Sequence, residues 1–300
     1  MQKSQQGFTL IELMVSLVLG LIIIAAATML FIAGQKSLAL QQGSADIQDN
    51  ANFALNYMTR NIRMANLDSS SVNMVGTPEG NSTNLGSGII FSTKQLLDVT
   101  AVSQSAVSGT SNVTVGSDQL VIQYLPTQTQ ITNGLYDCEG TKVEDTSTYV
   151  IERYFVRADN HRAANETAEN ALGLACAAGR SNNIAAFNAA NGQILMKRVD
   201  YFHVLLVVQD SSNNLRDMSI ADYLSQTPTA RILGVKLGIL ARSSQSIGAD
   251  SNVDSRNKKP FNVLDQAVTL NSTIQNSNVK NLRQVFIQSV AMRNALGGRS

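Results

Sequence analysis

The chain has 300 residues with 23 basic and 22 acidic side chains, so no net field for nucleic acid or an anionic surface is built into the molecule as a whole. Aromatic residues make up 5% and tryptophan is absent, so any core must rest on Val, Ile, Leu and Ala. Two histidines, two cysteines and the lack of an H-E-x-x-H, G-x-S-x-G or phosphate-loop pattern leave little for metal or nucleophilic catalysis.

The first element is a long helix. From Leu13 to Gly34 no side chain is charged, and at about 1.5 Å of rise per residue that run crosses a hydrocarbon core of roughly 30 Å. Ahead of it stands a short polar stretch, Met1 to Gly7, with one cation, Lys3; no small-residue cleavage site closes the apolar run, so any processing falls before it. Glu12 interrupts the apolar start. A carboxylate at membrane depth costs about 2.5 kcal/mol or more unless it reaches the interface or finds a partner, so Glu12 either snorkels or serves a function.

Beyond Lys36 the apolar residues Ile47, Ala51, Ala54, Leu55, Met58, Ile62 and Ala65 recur by threes and fours, the stripe of an amphipathic helix. No proline precedes Pro78, so the helix runs from Phe8 to about Asn66, roughly 90 Å. Gly20, Gly34 and Gly43 mark either close helix packing in the membrane or points of local melting.

After residue 67 the sequence turns strand-like and rich in Ser, Thr, Asn and Gly. Strands are expected at Gly88 to Ser92, Gln119 to Leu125, Tyr149 to Arg157, Val199 to Gln209, Arg231 to Arg242 and Arg283 to Met292. In the fifth, Leu233, Val235, Leu237, Ile239 and Ala241 alternate with the other face, which predicts a sheet covered mainly on one side. The Asp210 to Asn214 run lacks the glycine and distal acid of an EF-hand loop and reads as a polar hairpin turn. His203 reads as an ordinary strand residue and His161 lies in a polar stretch. Asn-x-Ser/Thr triplets begin at Asn81, Asn112, Asn165 and Asn271, as this composition would produce without glycans. From Arg256 to the C-terminus seven cations face one acid, Asp265, either a solvated face or a surface for DNA, anionic lipid or an acidic partner.

Gly7-Phe8-Thr9-Leu10-Ile11-Glu12, ahead of a membrane-length apolar run, resembles the prepilin signature of type IV pilins and type II secretion pseudopilins. The resemblance implies an α+β, type IV pilin-like fold, a long N-terminal membrane-spanning helix packed on a mostly antiparallel β-sheet domain. It implies cleavage between Gly7 and Phe8 by a prepilin peptidase, N-methylation of Phe8, and an assembly role for Glu12 through the N-terminal amine of a neighbouring subunit. The parts would be a leader at 1–7, the transmembrane half of the helix at 8–34, its amphipathic half at 35–66 and a periplasmic or extracellular β-rich domain at 67–300. The family's helix-bending proline is missing here. No catalytic residue, cofactor or metal is implied.

Two further stretches are similar to the PilW family of large minor pilins. Asp49-Asn50-Ala51-Asn52-Phe53-Ala54-Leu55 with Arg60 to Ala65 resembles its helix end, where an acid often stands at the place of Asn61. Arg283-Gln284-Val285-Phe286 with Val290 to Asn294 resembles its last strand, and the match is thin between Ser69 and Asn183. An exported domain faces an oxidising space, so Cys138 and Cys176 are expected to form a disulfide, worth about 3 to 4 kcal/mol, the alternative being two separate buried thiols. The resemblance implies a structural subunit that primes pilus assembly from the inner membrane and sits in a tip complex at the cell surface. Its partners would be other minor pilins, the major pilin, the prepilin peptidase, the assembly platform and a tip adhesin. The competing readings are a J-type minor pseudopilin of type II secretion and a membrane-anchored protein binding DNA or a surface ligand.

Overall fold

The computed structural model describes residues 9–65, 88–91, 100–162, 166, 170–210, 212–226, 230–247 and 251–292. Helix α1 (Leu10–Ile62) spans 53 residues. Thr9 caps it, its Oγ1 accepting the backbone N–H of Glu12 at 3.4 Å. The large apolar side chains from Leu10 to Ile32, and Leu38 beyond them, are exposed, and nothing in the most apolar 18-residue window is buried. This half is long and apolar enough to cross a membrane.

The second half of α1 behaves differently. Ile47, Ala51, Ala54, Leu55, Met58 and Ile62 are all buried, as the stripe predicts, and they lie against strands of the following domain. Gly43 is part of this contact: a Cβ there would lie 3.4 Å from Ser243 Cβ, whereas Gly20 and Gly34 have nothing within 4 Å. The packing role expected of Gly43 in the membrane therefore falls instead on the domain.

Two antiparallel sheets build that domain. The first has strand order β1 (Gln104–Val107), β2 (Ser117–Tyr124), β3 (Val150–Ala158), β4 (Leu172–Arg180) and β5 (Gln193–Lys197). The second is built from β6 (Val199–Gln209), β7 (Leu215–Ser219), β8 (Arg231–Arg242) and the last strand, Arg283–Ala291, which lies at the edge beside β8. Between β8 and the last strand a hairpin intervenes, β9 (Phe261–Val263) and β10 (Gln266–Val268), so the last strand is β11. Short helices α2 (Gln128–Thr132), α3 (Ile184–Ala189), α4 (Ile220–Gln226), α5 (Ser251–Asn257) and α6 (Ser272–Gln275) fill the connections.

One core joins the helix to both sheets. Met58 and Ile62 of α1, Leu120, Ile122 and Leu174 of the first sheet, and Phe202, Val235 and Ile239 of the second belong to a single buried cluster. The chain changes sheet at Arg198, whose φ of +59° turns the backbone sharply between β5 and β6. Strand β4, Leu-Gly-Leu-Ala-Cys-Ala-Ala-Gly-Arg, is interior and made of small residues. A Cβ on Gly179 would lie 2.5 Å from Phe187 Cβ, so the glycine admits the ring of α3.

Two expectations about strands need correction. The outer face of β8 is not bare, because the β9–β10 hairpin covers it: Leu240 packs with Phe261 and Val263, and a Cβ on Gly238 would lie 2.7 Å from Val263 Cγ1. The alternation also breaks at Leu233, where a bulge shifts the register against β6 so that Ile232 joins the core beside Val235. Around Gly88 only an isolated bridge forms, Ile89 with Ile122, and Ser92 lies outside the described residues.

Candidate functional site

Gly7 and Phe8, the expected cleavage and methylation positions, lie outside the described residues. Glu12 is exposed on the first turn of α1 and makes no ion pair among the described residues. Its placement is a helix-start geometry: Thr9 is the cap and Glu12 the third helical residue, where a carboxylate faces the positive end of the helix dipole. The Thr9-x-x-Glu12 spacing carries that signal in the sequence.

The other end of α1 docks on a buried corner. Cys138 and Cys176 form a disulfide with Cα atoms 6.1 Å apart. Beside it Glu152 of β3 is fully buried. Its Oε1 accepts from Cys138 N–H at 3.0 Å, Asn61 Nδ2 at 3.3 Å and Tyr124 OH at 3.4 Å, and its Oε2 accepts from Tyr154 OH at 2.6 Å. Burial raises the pKa of Glu152 to about 7, with Asp137 adding to the rise and the bonds from Tyr154, Cys138 and Asn61 opposing it. Asn61 is thus the helix's own contribution to the corner. An acid at that place would set two carboxylates in contact with no cation between them.

Cys138, Glu152 and Cys176 place potential ligand atoms within 4.8 Å of one another. The two sulfurs are already bonded to each other, so they cannot hold a metal ion. The segment carrying Cys138 is tied down on either side, Tyr57 OH donating to the Asp137 carbonyl at 3.0 Å and Arg180 pairing with the Asp137 carboxylate at 2.9 Å.

His203 is fully buried but not an ordinary strand residue. Nδ1 lies 2.7 Å from Asp118 Oδ2 and Nε2 lies 2.8 Å from Asp265 Oδ1. Two ionised carboxylates flanking one ring favour the imidazolium, which donates from both nitrogens. Burial lowers its pKa, and the hydrogen bonds and charges of Asp118 and Asp265 outweigh that and raise it. The ring ties β2, β6 and the β9–β10 turn together.

A third cluster is wholly ionic. Arg198 bonds Asp159 at 2.8 Å and Glu166 at 2.6 Å, Arg242 bonds Glu166 at 2.7 Å and approaches Asp200 at 3.5 Å, and Arg283 bonds Asp200 at 2.6 Å. All six side chains are buried. The cluster fastens the end of β3, the start of β6, the end of β8 and the start of β11. Removing one member strands an uncompensated charge, at a cost of about 3 to 5 kcal/mol.

Three of the seven C-terminal cations are paired with acids. Arg283 belongs to the interior, Lys258 and Lys280 both pair with Asp254 at 2.7 and 2.6 Å, and Arg256 stacks over Phe261. Arg293 and Arg299 lie outside the described residues. The Asp210 loop is the polar turn its sequence predicts, with Asp210 Oδ1 accepting from the backbone of Ser212 and Asn214, both at 2.9 Å. Asn112 is buried against Asp200, so that triplet is closed to modification in the folded chain, and Asn81 and Asn165 lie outside the described residues.

Two family models match the sequence. The prokaryotic N-terminal methylation motif matches residues 2–28, and Type IV Pilus-assembly protein W matches residues 153–294. Residues 153–294 are thus similar to the PilW family, behind an N-terminal prepilin methylation motif. The PilW match extends from within β3 to beyond β11, so it takes in Cys176, His203 and all six side chains of the ionic cluster, and it includes residues 153–183, where the sequence resemblance is thin. Comparison with curated proteins gives no significant match. A type IV-like pilin from Thermus thermophilus aligns over 83% of this chain and 96% of its own length, at 10% identity and a TM-score of 0.37. The methylation motif opens an apolar helix long enough to cross a membrane.

Proposed function

We propose that this minor pilin helps to prime type IV pilus assembly and forms part of a complex at the pilus tip, acting as a structural subunit and not as a catalyst. The observation that carries the reading is the division of α1. One half is buried in its own domain, while the other leaves every large apolar residue bare with one carboxylate, Glu12, in its first turn. A mere anchor would gain from leucine at that place, whereas a subunit that packs beside another can pair the acid with its neighbour's amine.

On this reading a prepilin peptidase cuts between Gly7 and Phe8 and the amine of Phe8 is methylated. The domain from residue 67 onward faces the periplasm while the helix rests in the inner membrane, and then reaches the cell surface at the tip. Other minor pilins, the major pilin and the assembly platform are its partners, with a tip adhesin beyond them. Deleting the gene and scoring surface pili and twitching beside export of secreted enzymes tests the reading. Loss of pili with export intact is the expected result, and intact pili with lost export would assign the chain to type II secretion instead.

A further inference from the structure

Beside the ionic cluster opens a cleft of about 440 Å³. Its polar lining is Ser111, Asn112, Asn170, Asn271 and Thr273, and its aliphatic wall includes Leu172 and Ile274. None of its lining side chains carries a charge. The three arginines next to it are taken up by three carboxylates, so the cleft offers nothing to a phosphate, a nucleic acid strand or a metal ion.

The ionic cluster fixes the orientation of one amide, Asn112. Asn112 is only 3% exposed and gives its Nδ2 hydrogens to Asp200 Oδ1 at 2.8 Å and to the Asn170 carbonyl at 3.0 Å. Arg242 donates to that same carbonyl at 3.0 Å. With both hydrogens committed, Asn112 Oδ1 is left as an acceptor with no partner among the described residues. Across the cleft, Asn271 stands at the cap of α6 yet makes no cap bond with its side chain, while its N–H holds the Asn112 carbonyl at 2.9 Å.

We propose that this cleft binds a neutral carbohydrate, one hexose or N-acetylhexosamine unit of a larger glycan. Amides and hydroxyls that both donate and accept suit ring hydroxyls, which do the same from adjacent carbons, and the wall of Leu172 and Ile274 suits the C–H face of a pyranose. The space holds roughly one or two such rings. A peptide would call for an open strand edge, but β3 and β4, which supply Ala158 and Leu172, are interior strands.

The test uses the full chain in a detergent without a sugar headgroup. Saturation-transfer NMR is recorded with N-acetylglucosamine, glucose and galactose, with sialic acid as an anionic comparison and a glycine tetrapeptide as a backbone mimic. At least one neutral sugar should show transfer with millimolar affinity. Thr273→Trp, at an exposed site on the rim, and Asn271→Leu should each weaken it by about tenfold with thermal stability unchanged. No transfer from any neutral sugar, transfer undiminished in both variants, or binding of sialic acid or the peptide alone would overturn the proposal.

Discussion

At Glu152 the residue chemistry sets a pH dependence. Its carboxyl titrates near 7 in the folded protein against 4.5 for a free glutamate, so folding favours the protonated form. The stabilisation is complete below the unfolded value and is lost as pH rises through about 7, a span worth on the order of 3 kcal/mol. Glu152→Gln keeps the shape and removes the titration. Thermal unfolding of the domain should therefore weaken between pH 5 and pH 8 in the wild type by more than in the variant. Equal pH profiles would show that Glu152 is already ionised inside the fold. His203 works the same way from a cationic side: its raised pKa means stability present below the unfolded value of about 6.5 and lost as pH passes the folded one. Asp118 also accepts from the backbone of Ala106 and Val204, so the bond that yields on deprotonation is the one to the half-exposed Asp265. Hydrogen exchange across β9 and β10 should accelerate as pH rises, and His203→Gln should show the fast exchange at every pH. Exchange that does not respond to pH would mean the hairpin is held by its apolar contacts alone.

Among the elements, α1 joins the two working halves of the molecule. Its inner stripe is packed to completion, and Met58→Ala should cost about 2 to 5 kcal/mol in domain unfolding, because the cavity it leaves is walled by both sheets. Phe53, 63% exposed and stacked on Tyr57 at 6.1 Å, lies on the free face. Phe53→Ala should shift thermal stability by less than about 1 kcal/mol. If the two variants unfold alike, the helix is not docked on the domain as described. The strands explain what a sequence can reveal and what it hides. β6 and β8 stand out because β-branched and aliphatic residues fill them, and their ends fall at Val199, Gln209, Arg231 and Arg242 as their composition indicates. β4 is hidden because its Ala and Gly residues have weak strand preference, and it is a strand only because its neighbours need a thin one.

For the molecule as a whole, the helix was legible and the interior was not. A charge-free run followed by a three-four stripe states its own burial in advance. By contrast, His203 meets Asp118 across 85 residues and Arg283 meets Asp200 across 83, and no local pattern encodes such distances. The one sequence sign was a set of charges at the ends of apolar strands, Arg198, Asp200, Arg242 and Arg283. Two of the acids that meet the cations of the C-terminal stretch, Asp254 and Asp200, stand before it in the sequence. Among the described residues, the most conspicuous unsatisfied surface is the bare first half of α1.

The central claim is that this bare half-helix is an assembly surface and that Glu12 is its one ionic contact. Glu12→Leu lengthens the apolar run and leaves the Gly7-Phe8 junction intact, so membrane insertion and cleavage should proceed as before. Co-purification with the other minor pilins from the host membrane is the measurement that decides. The account predicts near-normal abundance of the processed variant with its recovery in the complex, and surface piliation, sharply reduced. Wild-type co-purification and piliation by Glu12→Leu would contradict it, leaving Glu12 a residue that merely reaches for the membrane surface.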